Sequence, residues 1–203
     1  MRIGILGGSF NPVHNGHLGL ARRAIVSLAL DRLLVIPANV SPFKVAPPSQ
    51  GTDASVTFDR LALVRSAFAS IPEAVVDDRE MKRGGVSYAI DTVREIAAEN
   101  PGAELFFLLG ADALAGLHGW RRAVELVRLC RFVGFGRGGA RPDPDALGFD
   151  PATNARLAAD FVADLDVPAS STEVRDLLSA GRDASALLPP AVAEYIRRRG
   201  LYR

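Results

Sequence analysis

The sequence predicts an α/β protein: a doubly wound, Rossmann-like parallel sheet with helices on both faces, followed by a small helical C-terminal part. The first observation is that strand-like and helix-like apolar patterns alternate along the 203 residues, as they do when helices cover a parallel sheet. The second is the almost continuously apolar run at 104–109, which is expected of a strand buried on both faces. A chain of this length can bury a core in one domain. We therefore predict a single domain over 1–203, with the sheet in about 1–168 and the C-terminal helices in about 169–203.

Short apolar runs and apolar spacings of three to four residues define the predicted elements in order. Strands are predicted at 2–6, at 32–36 (ended by Pro37), at 75–76, at 104–109, at 131–135 and at 161–165. Helices are predicted at 16–30, at 58–68, from 87 to about 100, over 112–129 with an interruption around 116–119, from 170, and from Pro190 to Gly200. The first three helices each have an apolar face, made by Leu18, Ala21, Ile25 and Leu28, by Phe58, Leu61, Val64 and Phe68, and by Ile90, Val93, Ile96 and Ala97. The segments 38–56 and 136–150 are rich in proline and glycine and are predicted as loops, the second as a mobile surface loop.

The composition excludes several classes of protein. Charged residues make up 23% of the chain and nearly cancel at a net charge of +1, so no broad field favours nucleic acid or a membrane surface. The one dense basic run, 197–199, ends a predicted helix, where cations complement the dipole, and is interpreted as a solvated helix end. The single cysteine, Cys130, excludes an internal disulfide and is expected to pack as a small apolar residue. No signal peptide and no apolar run near the ~20 residues of a membrane span is visible, so a cytoplasmic protein is expected.

The most informative segment is GGSFNPVHNGHL at 7–18, between the first strand and the first helix. Gly7 and Gly8 lack a Cβ, which lets the backbone turn tightly and approach a ligand. The helix N-terminus that follows offers N–H groups and the positive end of a dipole, which favour phosphate. His14 and His17, three residues apart, lie on one face of the first turn. Together these features predict phosphate chemistry at the start of the first helix.

A dinucleotide-binding dehydrogenase is the alternative interpretation of a glycine turn after the first strand. Its fingerprint is G-x-G-x-x-G with an acidic residue about 20 residues further on, at the end of the second strand. Gly4, Gly7 and Gly8 do not follow that spacing, and the second strand ends at Pro37 without a carboxylate. Hydride chemistry is therefore disfavoured.

A second phosphate site is predicted at the string SSTEVR, 170–175. Ser170 followed by Glu173 is a capping box, which by itself is a routine helix start. The three hydroxyls, the N–H groups of the helix end and Arg175 also suit an anion. Paired with the histidine turn, this helix end could bind the opposite side of a triphosphate.

Both strings resemble known motifs. HNGH at 14–17 resembles the HxGH motif of a nucleotidyltransferase superfamily, and SSTEVR resembles the SSTxxR element that accompanies it in the adenylyltransferases. Further strings along the whole chain are similar to the bacterial nicotinate-nucleotide adenylyltransferase family. They are IPAN at 36–39 with Pro42 and Lys44, DRE at 78–80, Ser87 and Tyr88 with Asp91 and Thr92, GAD at 110–112 leading to Trp120, and a tail with LLPP at 187–190, Tyr195, Ile196 and Gly-Leu-Tyr at 200–202. The first two motifs specify the superfamily, and Ser87, Tyr88, Trp120 and the tail specify the nicotinate branch.

The resemblance implies transfer of AMP from ATP to nicotinate mononucleotide, which gives deamido-NAD and pyrophosphate in NAD biosynthesis. Such a transfer requires no enzyme nucleophile, so catalysis consists of positioning and charge stabilisation. The implied catalytic residues are His14, His17 and Arg175. The implied ATP-binding residues are these three together with Gly7, Gly8, Ser9, Phe10, Asp112, Ser171 and Thr172. Mg²⁺ is implied as the cofactor and is carried by the ATP phosphates, because no carboxylate cluster in the sequence suggests a protein site.

The implied partners are ATP and nicotinate mononucleotide, and a homo-oligomer is left open. The implied mononucleotide-binding residues are Asn39, Lys44, Ser87, Tyr88 and Trp120. An indole suits stacking on the pyridine ring, with core packing as the alternative for Trp120. Backbone amides at Ser87 and Tyr88 suit the nicotinate carboxylate, with helix capping as the alternative. Lys44 would reach the mononucleotide or is an ordinary surface lysine, and Asp112 binds a ribose hydroxyl or caps its helix.

The sequence departs from the family pattern at Asn11, Ala89, Gly138 and Ala169, of which Ala89 leaves the preference for the acid over the amide mononucleotide open. Two rival hypotheses remain. A pantetheine-phosphate adenylyltransferase shares both phosphate motifs, and a nucleotide-sensing module would bind ATP without turnover.

Overall fold

The computed structural model describes residues 1–43, 54–136, 139, 141–163 and 169–203. Five parallel strands form one sheet in the order β3-β2-β1-β4-β5. They are β1 (Arg2–Gly8), β2 (Arg32–Pro37), β3 (Ala74–Val76), β4 (Glu104–Gly110) and β5 (Arg131–Phe135). The doubly wound parallel sheet is therefore confirmed. Because the strand order reverses at β1, the crevice beyond the carboxyl ends of β1 and β4 is the expected ligand site of such a sheet.

Helices cover both faces of the sheet. They are α1 (Asn15–Ser27), α2 (Ala54–Phe68), α3 (Arg79–Arg83), α4 (Ala89–Glu99), α5 (Ala111–Ala115), α6 (Ala123–Leu129), α7 (Pro151–Ala159), α8 (Ser171–Ser179) and α9 (Pro190–Arg199), with short 3-10 helices at Leu117–Gly119, Pro144–Ala146 and Ser185–Leu187. Successive strand residues point to opposite faces, so Phe106 belongs to one apolar cluster and Phe107 to the other. The first cluster contains residues of α1, α2, α8 and α9, and the second contains residues of α4, α6 and α7. The division into a sheet part and a C-terminal helical part stays a prediction.

One prediction for the packed face of α2 is wrong. Phe58 was expected on the packed face of α2 but is 67% exposed, whereas Asp59 beside it is buried. The Asp59 carboxylate accepts a hydrogen bond from the Tyr195 hydroxyl (2.8 Å) and pairs with Arg199 (3.1 Å). Val64 and Phe68 of the predicted face are buried, so only its N-terminal end differs, where Asp59 is buried together with its partners on α9. The arginines at 197–199 are exposed at the end of α9, as predicted, and Arg199 in addition pairs with Asp59.

The segment predicted as a mobile loop, 136–150, contains order that its composition did not suggest. Pro144–Ala146 forms a 3-10 helix and Leu147 is buried in the second apolar cluster. The helix α7 was missed, although Asp150 accepts from the Thr153 N–H as an N-cap and Pro151 occupies the first helical position. The strand predicted at 161–165 is reduced to a single bridge between Phe135 and Val162, and its last two residues lie outside the described part.

Cys130 packs as predicted. Its side chain is buried among apolar residues, and burial raises the pKa of its thiol to about 12, which makes it a poor nucleophile at neutral pH. In the described part of the chain, no helix has both the length and the apolar character needed to cross a membrane. A cytoplasmic location stays a prediction.

Candidate functional site

A cavity of about 930 Å³ lies at the carboxyl ends of β1 and β4, where the sheet topology places a ligand. Its volume is at the upper end of the usual range for small-molecule sites. Most of the predicted site residues in the described part of the chain line it: Gly7, Gly8, Ser9, His14, His17, Ser87, Tyr88, Asp112 and Trp120. Residues that were not predicted also line it, among them Gly16, Phe43, Arg121 and Ala169.

The two histidines form one unit at the start of α1. His14 is the N-cap residue, and its N–H donates to Nδ1 of His17 at 3.2 Å. The two ring centroids are 3.8 Å apart, and the His17 ring also packs on Phe10 at 4.8 Å. Since Nδ1 of His17 accepts a hydrogen bond, the proton of the neutral ring lies on Nε2. His17 is therefore set to donate from Nε2 at the helix end that favours an anion.

The glycine between the histidines occupies a crowded position, which the motif alone does not show. A Cβ at Gly16 would lie 3.0 Å from ring atoms of His14 and 3.1 Å from the carbonyl oxygen of Ala169. Both distances are shorter than ordinary van der Waals contact. The absence of a side chain at Gly16 thus lets the His14 ring and the segment before α8 meet.

The glycines predicted to form a turn after the first strand are the last two residues of β1, paired with Ile36 and Pro37, so that prediction is wrong. Gly7 and Gly8 nevertheless line the cavity, and a Cβ at Gly8 would lie 3.2 Å from the Phe10 ring. Phe10 itself is 1% exposed and belongs to the first apolar cluster. Its side chain is thus a core group, and only its backbone remains available for the predicted contact with adenylate.

The N-terminus of α8 is fastened to the turn that precedes the histidines. Ser171 donates from Oγ to the carbonyl oxygen of Pro12 at 2.9 Å, and Arg175 donates from Nη1 to that of Asn11 at 2.7 Å. Arg175 also donates from Nη2 to Oγ1 of Thr172 at 3.3 Å. The Ser170 hydroxyl accepts a hydrogen bond from the Glu173 N–H, as in a helix cap. The string therefore caps α8 and also lies beside the histidines, so the two interpretations are compatible. Ser171, Thr172 and Arg175 are not among the cavity-lining residues. They lie next to the cavity, which Ala169 reaches.

An aromatic group lies on the other side of the cavity. The half-buried Trp120 packs edge-on against Phe107 and Phe132, with centroid distances of 5.7 and 6.3 Å. Its ring is also 5.9 Å from that of Phe43, which is 64% exposed. Trp120 therefore packs on the core and lines the cavity at once. Phe43 was missed, although an aromatic residue beside Pro42 in a proline-rich loop was a usable signal.

The remaining predicted acceptor residues have structural partners. The Ser87 hydroxyl accepts the Asn39 N–H at 2.9 Å, and the Asn39 side chain donates to the carbonyl oxygen of Gly85 at 2.9 Å. Asn39 does not line the cavity but ties the end of β2 to the start of α4. Tyr88, the N-cap residue of α4, lines the cavity and lies under the Arg121 guanidinium at 4.5 Å. Lys44 lies outside the described residues.

Comparison with known proteins identifies the family of this chain. A family model described as cytidylyltransferase-like matches residues 5–177. Proteins described as probable nicotinate-nucleotide adenylyltransferases are similar over their whole length. That of Gloeobacter violaceus is 43% identical (99% of this chain and 96% of its own covered), and that of Gemmatimonas aurantiaca is 37% identical (100% and 93%). Solved structures of Plasmodium falciparum nicotinic acid mononucleotide adenylyltransferase, in complex with APC and with NaAD, share the fold. Their TM-scores are 0.74 and 0.73 at 17% and 16% identity, with 99% of this chain and 96% and 97% of theirs covered.

Proposed function

The chain belongs to the nicotinate-nucleotide adenylyltransferase family, and from this premise we propose that it transfers AMP from ATP to nicotinate mononucleotide. The products are nicotinate adenine dinucleotide (deamido-NAD) and pyrophosphate, in NAD biosynthesis. The observation that carries the proposal is the meeting of two helix N-termini beside one cavity. One bears His14 and His17, and the other bears Ser171, Thr172 and Arg175.

The proposed reaction is a single in-line displacement. A phosphate oxygen of the mononucleotide forms a bond to the α-phosphorus of ATP. The bond from that phosphorus to the oxygen bridging the β-phosphorus breaks, and pyrophosphate leaves with the electron pair. No side chain has to act as nucleophile, so the protein contributes alignment of the two phosphates and stabilisation of the charge that develops on their oxygens.

The phosphate contacts are assigned from the hydrogen bonds that the described residues already make. His17 donates from Nε2–H to an α-phosphate oxygen, because its Nδ1 is occupied by the His14 N–H. Arg175 uses two of its nitrogens on Asn11 and Thr172 and has five N–H donors in all. Its further donors, with the α8 N-terminus and Ser171, suit the leaving pyrophosphate.

The adenosine and its metal ion are assigned by position and by chemistry. The backbone from Gly7 to Phe10 borders the adenylate, and the exposed carboxylate of Asp112 suits a ribose hydroxyl. Among the described residues, no group of three or more His, Cys, Asp and Glu side chains is arranged to hold a metal ion. As the family resemblance implies, we propose that Mg²⁺ enters as part of the ATP complex, where it would neutralise phosphate charge.

The aromatic side of the cavity suits the pyridine ring of the acceptor. Trp120 and Phe43 offer two ring faces, and aromatic pairs of this kind contribute about 0.5–1.5 kcal/mol beyond area burial. The Ser87 N–H predicted for the nicotinate carboxylate donates instead to the carbonyl oxygen of Val40 at 2.9 Å. The N–H groups of Tyr88 and Ala89, which begin α4 on the cavity, suit this carboxylate in its place. Asn39 contributes by fastening this helix start. Lys44 is proposed on the resemblance alone to reach the mononucleotide phosphate.

A side-by-side assay of pyrophosphate release with three acceptors tests the function. We expect turnover with nicotinate mononucleotide to far exceed turnover with nicotinamide mononucleotide and with pantetheine phosphate. Trp120→Leu is expected to raise the KM for the mononucleotide about tenfold, since one stacked aromatic contact is lost, and to change the KM for ATP much less. Higher activity with pantetheine phosphate would overturn the choice of acceptor. ATP binding without dinucleotide formation would identify a nucleotide sensor instead.

Gly16→Ala is expected to lower kcat by about 10- to 100-fold, because the new methyl group displaces the His14 ring or the Ala169 carbonyl, and small misplacements at a reacting centre have effects of this size. Steady-state kinetics of the purified variant measure it. Gly116→Ala is the matched control, since its Cβ would meet no atom nearer than 3.8 Å and Gly116 does not line the cavity. Equal kcat values for the two variants would contradict the steric role of Gly16.

A further inference from the structure

The penultimate residue of the chain touches the turn that carries the histidines. Tyr202 donates from its hydroxyl to Oδ1 of Asn11 at 2.7 Å, across 191 positions of sequence. Asn11 lies three residues before His14, in the turn between β1 and α1. The C-terminal tail therefore reaches the phosphate-binding turn through one side-chain hydrogen bond.

Asn11 joins this tail contact to Arg175. Its side-chain oxygen accepts from Tyr202, and its carbonyl oxygen accepts from Nη1 of Arg175 at 2.7 Å. A shift of Asn11 would move two things. One is the carbonyl oxygen that binds the Arg175 guanidinium, and the other is the backbone that leads into His14. Both groups are assigned to the phosphates, so the position of Asn11 fixes the relation between the two helix ends.

Arg60 of α2 binds the backbone just before the same turn. Its guanidinium donates to the carbonyl oxygens of Ser9 (3.1 Å), Ala38 and Asn39 (3.3 Å). Burial lowers the pKa of Arg60 and raises the pKa of the Tyr202 phenol to about 12. At neutral pH Tyr202 is therefore a protonated donor, which is the form that an amide oxygen requires.

We infer that Tyr202 is a positioning residue for AMP transfer, because it fixes Asn11 and, through Asn11, the relation between the histidine turn and Arg175. The inference rests on the proposed function. Its hydroxyl donates to Asn11, to which no substrate contact is assigned, so Tyr202 acts on the rate by alignment. Loss of its hydroxyl is expected to change kcat and to leave the KM for the mononucleotide nearly unchanged.

The test compares two phenol deletions in the same C-terminal segment. Tyr202→Phe removes the donor to Asn11, and Tyr195→Phe removes the donor to a different acceptor, Asp59 on α2 (2.8 Å). Kinetics of the full-length enzyme and thermal unfolding are measured for both variants. We expect kcat to fall about tenfold in Tyr202→Phe and to stay within about twofold of wild type in Tyr195→Phe, which corresponds to a usual coupling between directly interacting groups.

A double-mutant cycle with Asn11→Ala supplies the second measurement. If Tyr202 acts through Asn11, Tyr202→Phe lowers kcat in the wild-type background and has no further effect in the Asn11→Ala background. The inference is overturned if the kcat losses of Tyr202→Phe and Asn11→Ala multiply in the double variant. It is also overturned if Tyr202→Phe and Tyr195→Phe have equal kcat values. A wild-type enzyme that forms dinucleotide with no Tyr202 effect refutes the inference alone. A wild-type enzyme that forms none refutes the proposed function, and the inference with it.

Discussion

His17→Ala is expected to lower kcat by about 100- to 1,000-fold while the protein stays folded. The reason is that Nε2–H is a positioned donor to an oxygen whose charge grows during the displacement, and removing one such donor has effects of this size. The contact strengthens in the transition state, so kcat falls more than the affinity for ATP. Steady-state kinetics together with ATP-binding measurements separate the two quantities.

The chain offers a control for the loss of a histidine side chain as such. His118→Ala removes the same side chain at an exposed position that does not line the cavity, and its kcat is expected to match wild type. His17→Ala also leaves the His14 N–H without its Nδ1 acceptor, which costs about 1 kcal/mol of unfolding free energy. Thermal unfolding measures that loss separately. Near-normal kcat in His17→Ala would refute the donor role.

The sheet and its site could be predicted because their signals are local. The glycine pair, the histidine spacing and the serine-threonine string are each contiguous, and parallel-sheet topology places ligands at the carboxyl ends of the strands. The burial of Asp59 could not be predicted in the same way, because its partners Tyr195 and Arg199 are more than 130 positions away. Helical spacing therefore favoured Phe58 as a packed residue, whereas in the structure Asp59 is buried with its partners and Phe58 is exposed.

The sequence did not predict the roles of residues that position other residues and do not themselves contact the substrates. Gly16 belongs to the HNGH motif, but the motif does not show why the position is crowded. The crowding comes from the His14 ring and from the carbonyl oxygen of Ala169, which lies far away in the sequence. Asn39 was predicted to touch substrate, and its bonds to Ser87 and Gly85 fasten the cavity wall. Resemblance identifies which residue types recur, whereas the contacts show which of them touch the cavity and which hold others in place.

Arg175→Ala is expected to lower kcat by about 100- to 1,000-fold, comparably to loss of a preorganised donor at a developing charge. Two effects combine. The guanidinium is a cation beside the α8 N-terminus, where it suits pyrophosphate, and it also holds the Asn11 carbonyl oxygen at 2.7 Å. Arg175→Lys keeps the charge without the planar fork, so it is expected to recover only part of the rate.

The reverse reaction isolates the anion-binding part of that role. With deamido-NAD and pyrophosphate as substrates, Arg175→Ala is expected to raise the KM for pyrophosphate at least tenfold, because a charge-assisted contact is lost on that substrate alone. Arg182→Ala, an exposed cation just beyond the same helix, is the matched control and should leave that KM unchanged. An unchanged pyrophosphate KM in Arg175→Ala, with kcat still reduced, would reassign Arg175 to holding Asn11. In that case Tyr202→Phe and Arg175→Ala would both act by releasing Asn11, which Tyr202 binds at its side chain and Arg175 at its carbonyl oxygen. Their effects on kcat would then not multiply.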